Sequence, residues 1–321
     1  MKRSVLNYTA LWLKGMAMGA ADVVPGVSGG TIAFISGIYE ELIETIHKID
    51  LGFFKIWKEK GIVKAWHHYN LSFLAVLLSG IFISILTFAN LISWLLHDYP
   101  ILIWAFFFGL VVASIVFVGQ QITRWSVPAI VALALASAFS YWITVTEPIG
   151  SPDSAWFLFF AGFIAIIAMI LPGISGAFIL LLLGAYKTVI GIITQLIEGV
   201  TTLNSDAILD ALGKVIIFGL GAVVGIKVFS GTLNWMFKHH KNITLALLTG
   251  FMVGALNKIW PWKEVIRYTT NSDGKQVPFV EKSILPSNFD GDTQLLSAIF
   301  AAIIGFLVIF VLERLGSRKA Q

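Results

Sequence analysis

The chain has 321 residues, of which 57% are hydrophobic and 12% charged, against roughly a quarter charged in soluble domains. That composition excludes an ordinary water-soluble domain and makes lipid the solvent for most of the chain. There is no cysteine, which excludes disulfides, iron–sulfur clusters and thiolate zinc sites, and the net charge of +4 falls mainly in loops between apolar stretches, where membrane topology rather than nucleic acid explains it.

From the N-terminus, the basic start Met1-Lys2-Arg3 leads into an apolar stretch without a small-residue cleavage site, so a retained first helix is expected. A broken helical pair is predicted at about 9–22 and 31–46, interrupted by Pro25-Gly26-Val27-Ser28-Gly29. Within the segment 48–69, Phe53, Phe54, Trp57 and Trp66 alternate with Lys55, Lys58, Lys60 and Lys64, as in a helix lying on the cytoplasmic membrane interface. Spans follow at 71–96, 101–118 and 127–145. A second broken pair is predicted at 155–171 and 177–194, around Pro172-Gly173-Ile174-Ser175-Gly176, and then spans at 214–237, 243–257 and 294–312. Residues 258–293 are long, polar and rich in turn formers, and read as an external loop or small hairpin.

The two broken pairs are copies of one another. At a constant offset of 147 residues (Pro25 to Pro172), Gly26/Gly173, Ser28/Ser175, Gly29/Gly176, Gly37/Gly184 and Tyr39/Tyr186 coincide, and at an offset of 141 Gly80/Gly221, Phe88/Phe229, Trp94/Trp235 and Gly109/Gly250 coincide. Residues 1–146 form the first repeat, including the amphipathic segment 48–69, and residues 147–321 the second, including the external loop 258–293. Three full crossings per half invert the second repeat relative to the first. The arms 9–22 and 31–46 would rise about 21–24 Å at 1.5 Å per residue, short of a hydrocarbon core of about 30 Å, which favours hairpins that enter and return. The fold class is therefore an all-α integral membrane protein of two inverted-topology repeats, each a re-entrant broken-helix hairpin plus three transmembrane helices; ten full spans is the alternative. Loop charge places the N-terminus, 47–70, 119–126, 238–242 and the C-terminus on the cytoplasmic side.

Irregular backbone at membrane depth is tolerated only inside protein or against a water-filled cavity, so the two breaks are the candidate site. A helix start after such a break offers free amides and a positive dipole end to an anion. In the first repeat these belong to Gly29, Gly30 and Thr31, beside the Ser28 and Thr31 hydroxyls, and in the second to Gly176, Ala177 and Phe178, beside Ser175. A tight turn with serine N-caps would also account for one such motif; two copies in opposed repeats favour a single composite site. Among charges inside apolar segments, Lys14 suits either headgroup snorkelling or the substrate, and Asp22 lies just before the break. Glu40 closes the returning arm, and Lys227, mid-span, is expected to pair with a carboxylate such as Asp22 or to meet an anionic ligand. None of the six histidines has the i, i+4 spacing of a metal pair, so neither a metal nor another cofactor is expected.

The stretches KGMAMGAADVVPGVSGGTIAFISGIYEELI (14–43) and AMILPGISGAFILLLLGAY (168–186) resemble the paired signature of the PopT family of undecaprenyl-phosphate translocases. Ala177 departs from the pattern, which has a small hydroxyl residue there in many members. The resemblance implies a non-enzymatic transporter of the bacterial inner membrane. Such a transporter returns undecaprenyl phosphate from the outer to the cytoplasmic leaflet for peptidoglycan and other envelope glycans. Its partners would be this polyprenyl phosphate and membrane phospholipids, without nucleic acid, and a homo-oligomer is left open. Carried onto this chain, the substrate-binding set is Lys14, Pro25, Gly26, Ser28, Gly29, Gly30, Thr31, Pro172, Gly173, Ser175 and Gly176, with Asp22 and Glu40 in coupling or charge pairing; Lys227 lies in neither motif and joins them only through its mid-span position. A transporter of a small soluble anion would use the same tips while enclosing its whole solute.

Overall fold

The computed structural model describes residues 4–23, 28–146, 154–270 and 276–317; Pro25 and Gly26 of the first break lie outside them. Helix α1 (Val5–Asp22) starts at Ser4, whose hydroxyl accepts the Asn7 amide, and is followed by α2 (Gly29–Ile35), α3 (Tyr39–Lys48), α4 (Gly52–Lys60) and α5 (Ile62–His68). Three apolar helices come next: α6 (Leu71–Asp98), α7 (Pro100–Gln120) and α8 (Val127–Val145). A similar order, without counterparts of α4 and α5, then recurs as α9 (Ala155–Ile170), α10 (Gly176–Leu182), α11 (Tyr186–Thr202), α12 (Ser205–His239) and α13 (Lys241–Ala255). A β-hairpin, β1 (Lys263–Thr270) paired with β2 (Gln276–Ser283), precedes the last helix, α14 (Leu295–Ser317).

This is a membrane protein. Helices α6, α7, α8 and α12 are long and apolar enough to cross a membrane, whereas α13 has only 15 residues. Large apolar side chains such as Phe82, Leu86, Leu135, Val223 and Phe300 are exposed, while Ser84, Ser114, Ser140 and Ser230 are fully buried. In lipid that arrangement is expected, because hydrocarbon does not reward burying leucine and small polar residues let helices approach and bond. Thus Ser84 donates to the Met16 carbonyl at 2.6 Å and Ser140 to the Phe251 carbonyl at 2.8 Å.

Four predicted elements differ from those observed, each for a local reason. The returning arms 31–46 and 177–194 are not single helices, because Gly37 and Gly184, both at φ +71°, end α2 and α10 in a left-handed turn. Likewise the interfacial stretch 51–69 is two helices divided at Gly61, φ +84°. Helix α12 begins at Ser205 instead of 214, with the Asn204 side chain capping the Ala207 amide; its acidic first turns, Asp206 and Asp210, suit the positive end of a helix.

Packing links the halves. Helix α1 lies along α6 and α9 along α12, but α7 packs on α14 and α8 on α13, so the second and third long helices of each half partner those of the other. The pairs approach through glycine: a Cβ on Gly109 would strike the Ala302 carbonyl and one on Gly305 the Phe106 carbonyl.

Candidate functional site

The two breaks meet in the buried interior of the protein. Helix α2 starts at Ser28, whose hydroxyl accepts the Gly30 amide at 3.1 Å and donates to the Leu171 carbonyl, at the end of α9, also at 3.1 Å. From the other break, the Gly173 amide donates to the Thr31 hydroxyl at 2.9 Å. Ser28 and Thr31 are buried, at 1% and 0% exposure, so in a water-poor interior each bond stands for two groups that would otherwise be orphaned. A third tie, from the Tyr39 hydroxyl to the Ile170 carbonyl at 3.1 Å, was not singled out from sequence; the matched Tyr39/Tyr186 pair was its one visible signal. Gly30 sits where a Cβ would lie 2.6 Å from the Ile170 carbonyl oxygen, and Gly173, at φ +91°, packs on the backbone of Phe251 and Met252.

The helix starts themselves are unequal. At α2 the Gly29 amide donates to an Asp22 carboxylate oxygen at 2.6 Å, so the chain's own anion occupies the position where the free amides were expected to hold a ligand. At α10, Met169 stands at the position equivalent to Asp22. No side chain caps that helix, and the Ser175 hydroxyl, 7% exposed with its residue, has no hydrogen-bond partner among the described residues.

The remaining candidates are not at this crossing. Lys14 donates to the Ser36 carbonyl at 2.5 Å, at the far end of α2 from Ser28, a helix length of about 10 Å away. Lys227 does not pair with Asp22. It donates to the His47 and Ile49 carbonyls at 2.6 and 2.5 Å, capping the C-terminal end of α3, where a helix dipole and unpaired carbonyls favour a cation. Glu40 forms an ion pair with Lys241 at 2.8 Å, both side chains more than half exposed. Among the described residues there is no group of three or more His, Cys, Asp or Glu that could hold a metal ion.

An apolar helical bundle whose two helix breaks are hydrogen-bonded to each other in its buried interior has the construction of a membrane transporter. The comparisons give the family. Residues 18–277 match the model of the undecaprenyl phosphate translocase-like family, and the chain belongs to that family, whose members are translocases and not enzymes. It is 44% identical over 319 residues, 99% of each chain, to a polyprenyl-phosphate transporter of Vibrio cholerae serotype O1. To a polyprenyl-phosphate transporter of Staphylococcus aureus it is 31% identical over 261 residues, 78% of this chain and 85% of the relative. No solved structure matches the chain.

Proposed function

We propose that the protein carries undecaprenyl phosphate, a polyprenyl phosphate, from the outer to the cytoplasmic leaflet of the bacterial inner membrane, supplying envelope glycan synthesis. The observation that supports this most is the pair of breaks, bonded to each other through Ser28–Leu171 and Thr31–Gly173, in a chain related along 99% of its length to a polyprenyl-phosphate transporter. A phosphate monoester needs amides and hydroxyls that water does not compete for, and the polyprenyl tail can stay in lipid while the headgroup crosses. The relatives' lipid substrate favours this over a small soluble anion.

In this reading residues 1–146 and 147–321 are inverted repeats with re-entrant hairpins, supported by the recurring order of elements and the exchange of helix partners between halves. Rocking of one half against the other alternates access. The phosphate is received at the uncapped start of α10, beside Ser175. Asp22, which holds the start of α2, is the coupling group: when it takes a proton it releases the Gly29 amide to the substrate, and when it ionises again it expels the phosphate by like charge. Glu40, in a surface ion pair, has no part in this. Helices α4 and α5, with Phe54, Trp57 and Val63 exposed beside four lysines, lie on the cytoplasmic interface against anionic phospholipid, and both termini are cytoplasmic.

The test is leaflet-resolved measurement of undecaprenyl phosphate in proteoliposomes. The wild-type chain accelerates flipping, and Asp22→Asn abolishes its dependence on a proton gradient. Flipping no faster than in protein-free vesicles, under any proton or sodium gradient, rules the function out.

A further inference from the structure

The β-hairpin closes over a cluster of charge that the central crossing does not use. Lys263, the first residue of β1, is 7% exposed, and its ammonium has no hydrogen-bond acceptor among the described residues. The ammonium stands 3.8 Å from the centre of the Trp104 ring. Glu281 of β2 lies 3.6 Å from it, close enough to attract but too far to accept a hydrogen bond. The same carboxylate oxygen is shared with Lys258, at 3.5 Å, and Lys258 in turn sits 4.7 Å from the centre of the Phe178 ring, on the first turn of α10. Two mostly buried ammonium groups thus share one carboxylate. An ammonium out of water is strongly disfavoured unless paired and hydrogen-bonded, and an aromatic face replaces only part of what hydration supplies.

The scaffold holding these charges is fixed. The Trp260 indole donates to the Ile284 carbonyl at 2.8 Å and the Trp262 indole to the Thr293 carbonyl at 2.9 Å. Ser283 donates to the Asn257 carbonyl at 3.0 Å and Asn257 to the Thr144 hydroxyl at 2.8 Å. Lys263 is therefore held in place without being satisfied, with Lys258 beside it on the same carboxylate. What completes such a cluster is a compact anion with several acceptor oxygens, able to take donors from both ammonium groups at once.

We propose that Lys258 and Lys263 form a second anion site, for a phosphate monoester or free phosphate, between the β-hairpin and the start of the second break. Trp262 packs with Ile101 and Ala105 at the start of α7, the end away from the basic loop that follows Gln120, so in the transport reading the site would receive a headgroup on the outer side before it reaches the crossing. The lipid version rests on the transport reading; the phosphate chemistry does not. Burial and Lys258 hold the Lys263 amine down at about 8, against the pull of Glu281, so an arriving phosphate would strengthen its charge.

The test uses the full chain in lipid nanodiscs and follows the thermal midpoint against inorganic phosphate, geranyl phosphate and, at equal ionic strength, chloride. Both phosphates raise the midpoint and chloride does not. Lys263→Met and Lys258→Gln each weaken the response about tenfold or more, as expected for loss of a charge-assisted hydrogen bond. Glu281→Gln, which removes the competing carboxylate, strengthens it several-fold, whereas a purely structural salt bridge predicts no gain. Geranyl phosphate acting at about tenfold lower concentration than inorganic phosphate, a gap of about 1.4 kcal/mol, makes a lipid headgroup the ligand; equal potency makes it free phosphate. No response in the wild type, an undiminished response in both lysine variants, or a weaker one in Glu281→Gln overturns the site. Flipping separates the two readings. A chain that responds to phosphate but flips no lipid loses the transport function and keeps the site, and one that flips lipid with no phosphate response loses the site alone.

Discussion

Ser28 and Ser175 hold equivalent places in the two breaks, yet replacing them with alanine is expected to have different consequences. Ser28→Ala removes one oxygen that serves two buried groups, the Gly30 amide and the Leu171 carbonyl. Each buried group left unpaired costs about 1–3 kcal/mol, and loss of a serine N-cap alone costs about 1 kcal/mol. Because these overlap, a total of about 2–4 kcal/mol is expected. Ser175 has no hydrogen bond to lose within the described residues, so Ser175→Ala should change stability by no more than about 0.5 kcal/mol. If its hydroxyl holds the phosphate, loss of a bond to a charged group, about 1.5–3 kcal/mol, weakens apparent substrate affinity by roughly ten- to a hundredfold. The assay is a pair of measurements on each variant: thermal unfolding in detergent at one scan rate, and the substrate dependence of flipping in proteoliposomes. Equal destabilisation of the two variants would show that the crossing is symmetric and the reasoning from the hydrogen bonds wrong. Wild-type affinity in a stable Ser175→Ala variant would take Ser175 out of the site.

Gly30→Ala places a methyl 2.6 Å from the Ile170 carbonyl oxygen; the tips must separate, so a loss of about 1–3 kcal/mol and impaired flipping are expected, and a variant of wild-type thermal midpoint counts against the close crossing. Lys227→Met leaves the α3 carbonyls uncapped and lowers stability by about 1–2 kcal/mol, while the substrate affinity of flipping is unchanged; a selective loss of affinity would return Lys227 to the substrate path. Glu40→Gln breaks a solvent-exposed pair and costs under about 0.5 kcal/mol, with flipping and its gradient dependence intact. The Lys263 amine is at about 8 when folded against an ordinary 10.5, so from about pH 8 to 10.5 the unfolded chain binds the proton more tightly and stability rises with pH. The rise is at most roughly 3 kcal/mol, and Lys263→Met should flatten it in thermal unfolding measured across that range.

Membrane class and the location of the two breaks were legible in the sequence, because each depends on local chemistry: apolar runs long enough for lipid, and proline and glycine where a helix must stop. The left-handed turns were half legible. Gly37 and Gly184 were visible as a matched pair, but that each divides its arm into two helices depends on φ, which a glycine permits without requiring. Charge was read least well. Lys227 looked like half of a buried ion pair because sequence shows that a cation is mid-span and not that the last carbonyls of α3 lie beside it. Asp22 shows the same limit, since only folding brings its carboxylate onto the Gly29 amide and makes equivalent helix starts chemically different. Likewise 258–293 read as a polar loop or hairpin; its lysines share Glu281 through the pairing of β1 with β2, and met Trp104 and Phe178 only through contacts between elements far apart in the chain. What the sequence by itself determined is where the backbone must break. Which polar group each break and each buried charge faces was decided by tertiary structure, because in an interior poor in water a charge is satisfied by its nearest neighbour in space, whatever its distance along the chain.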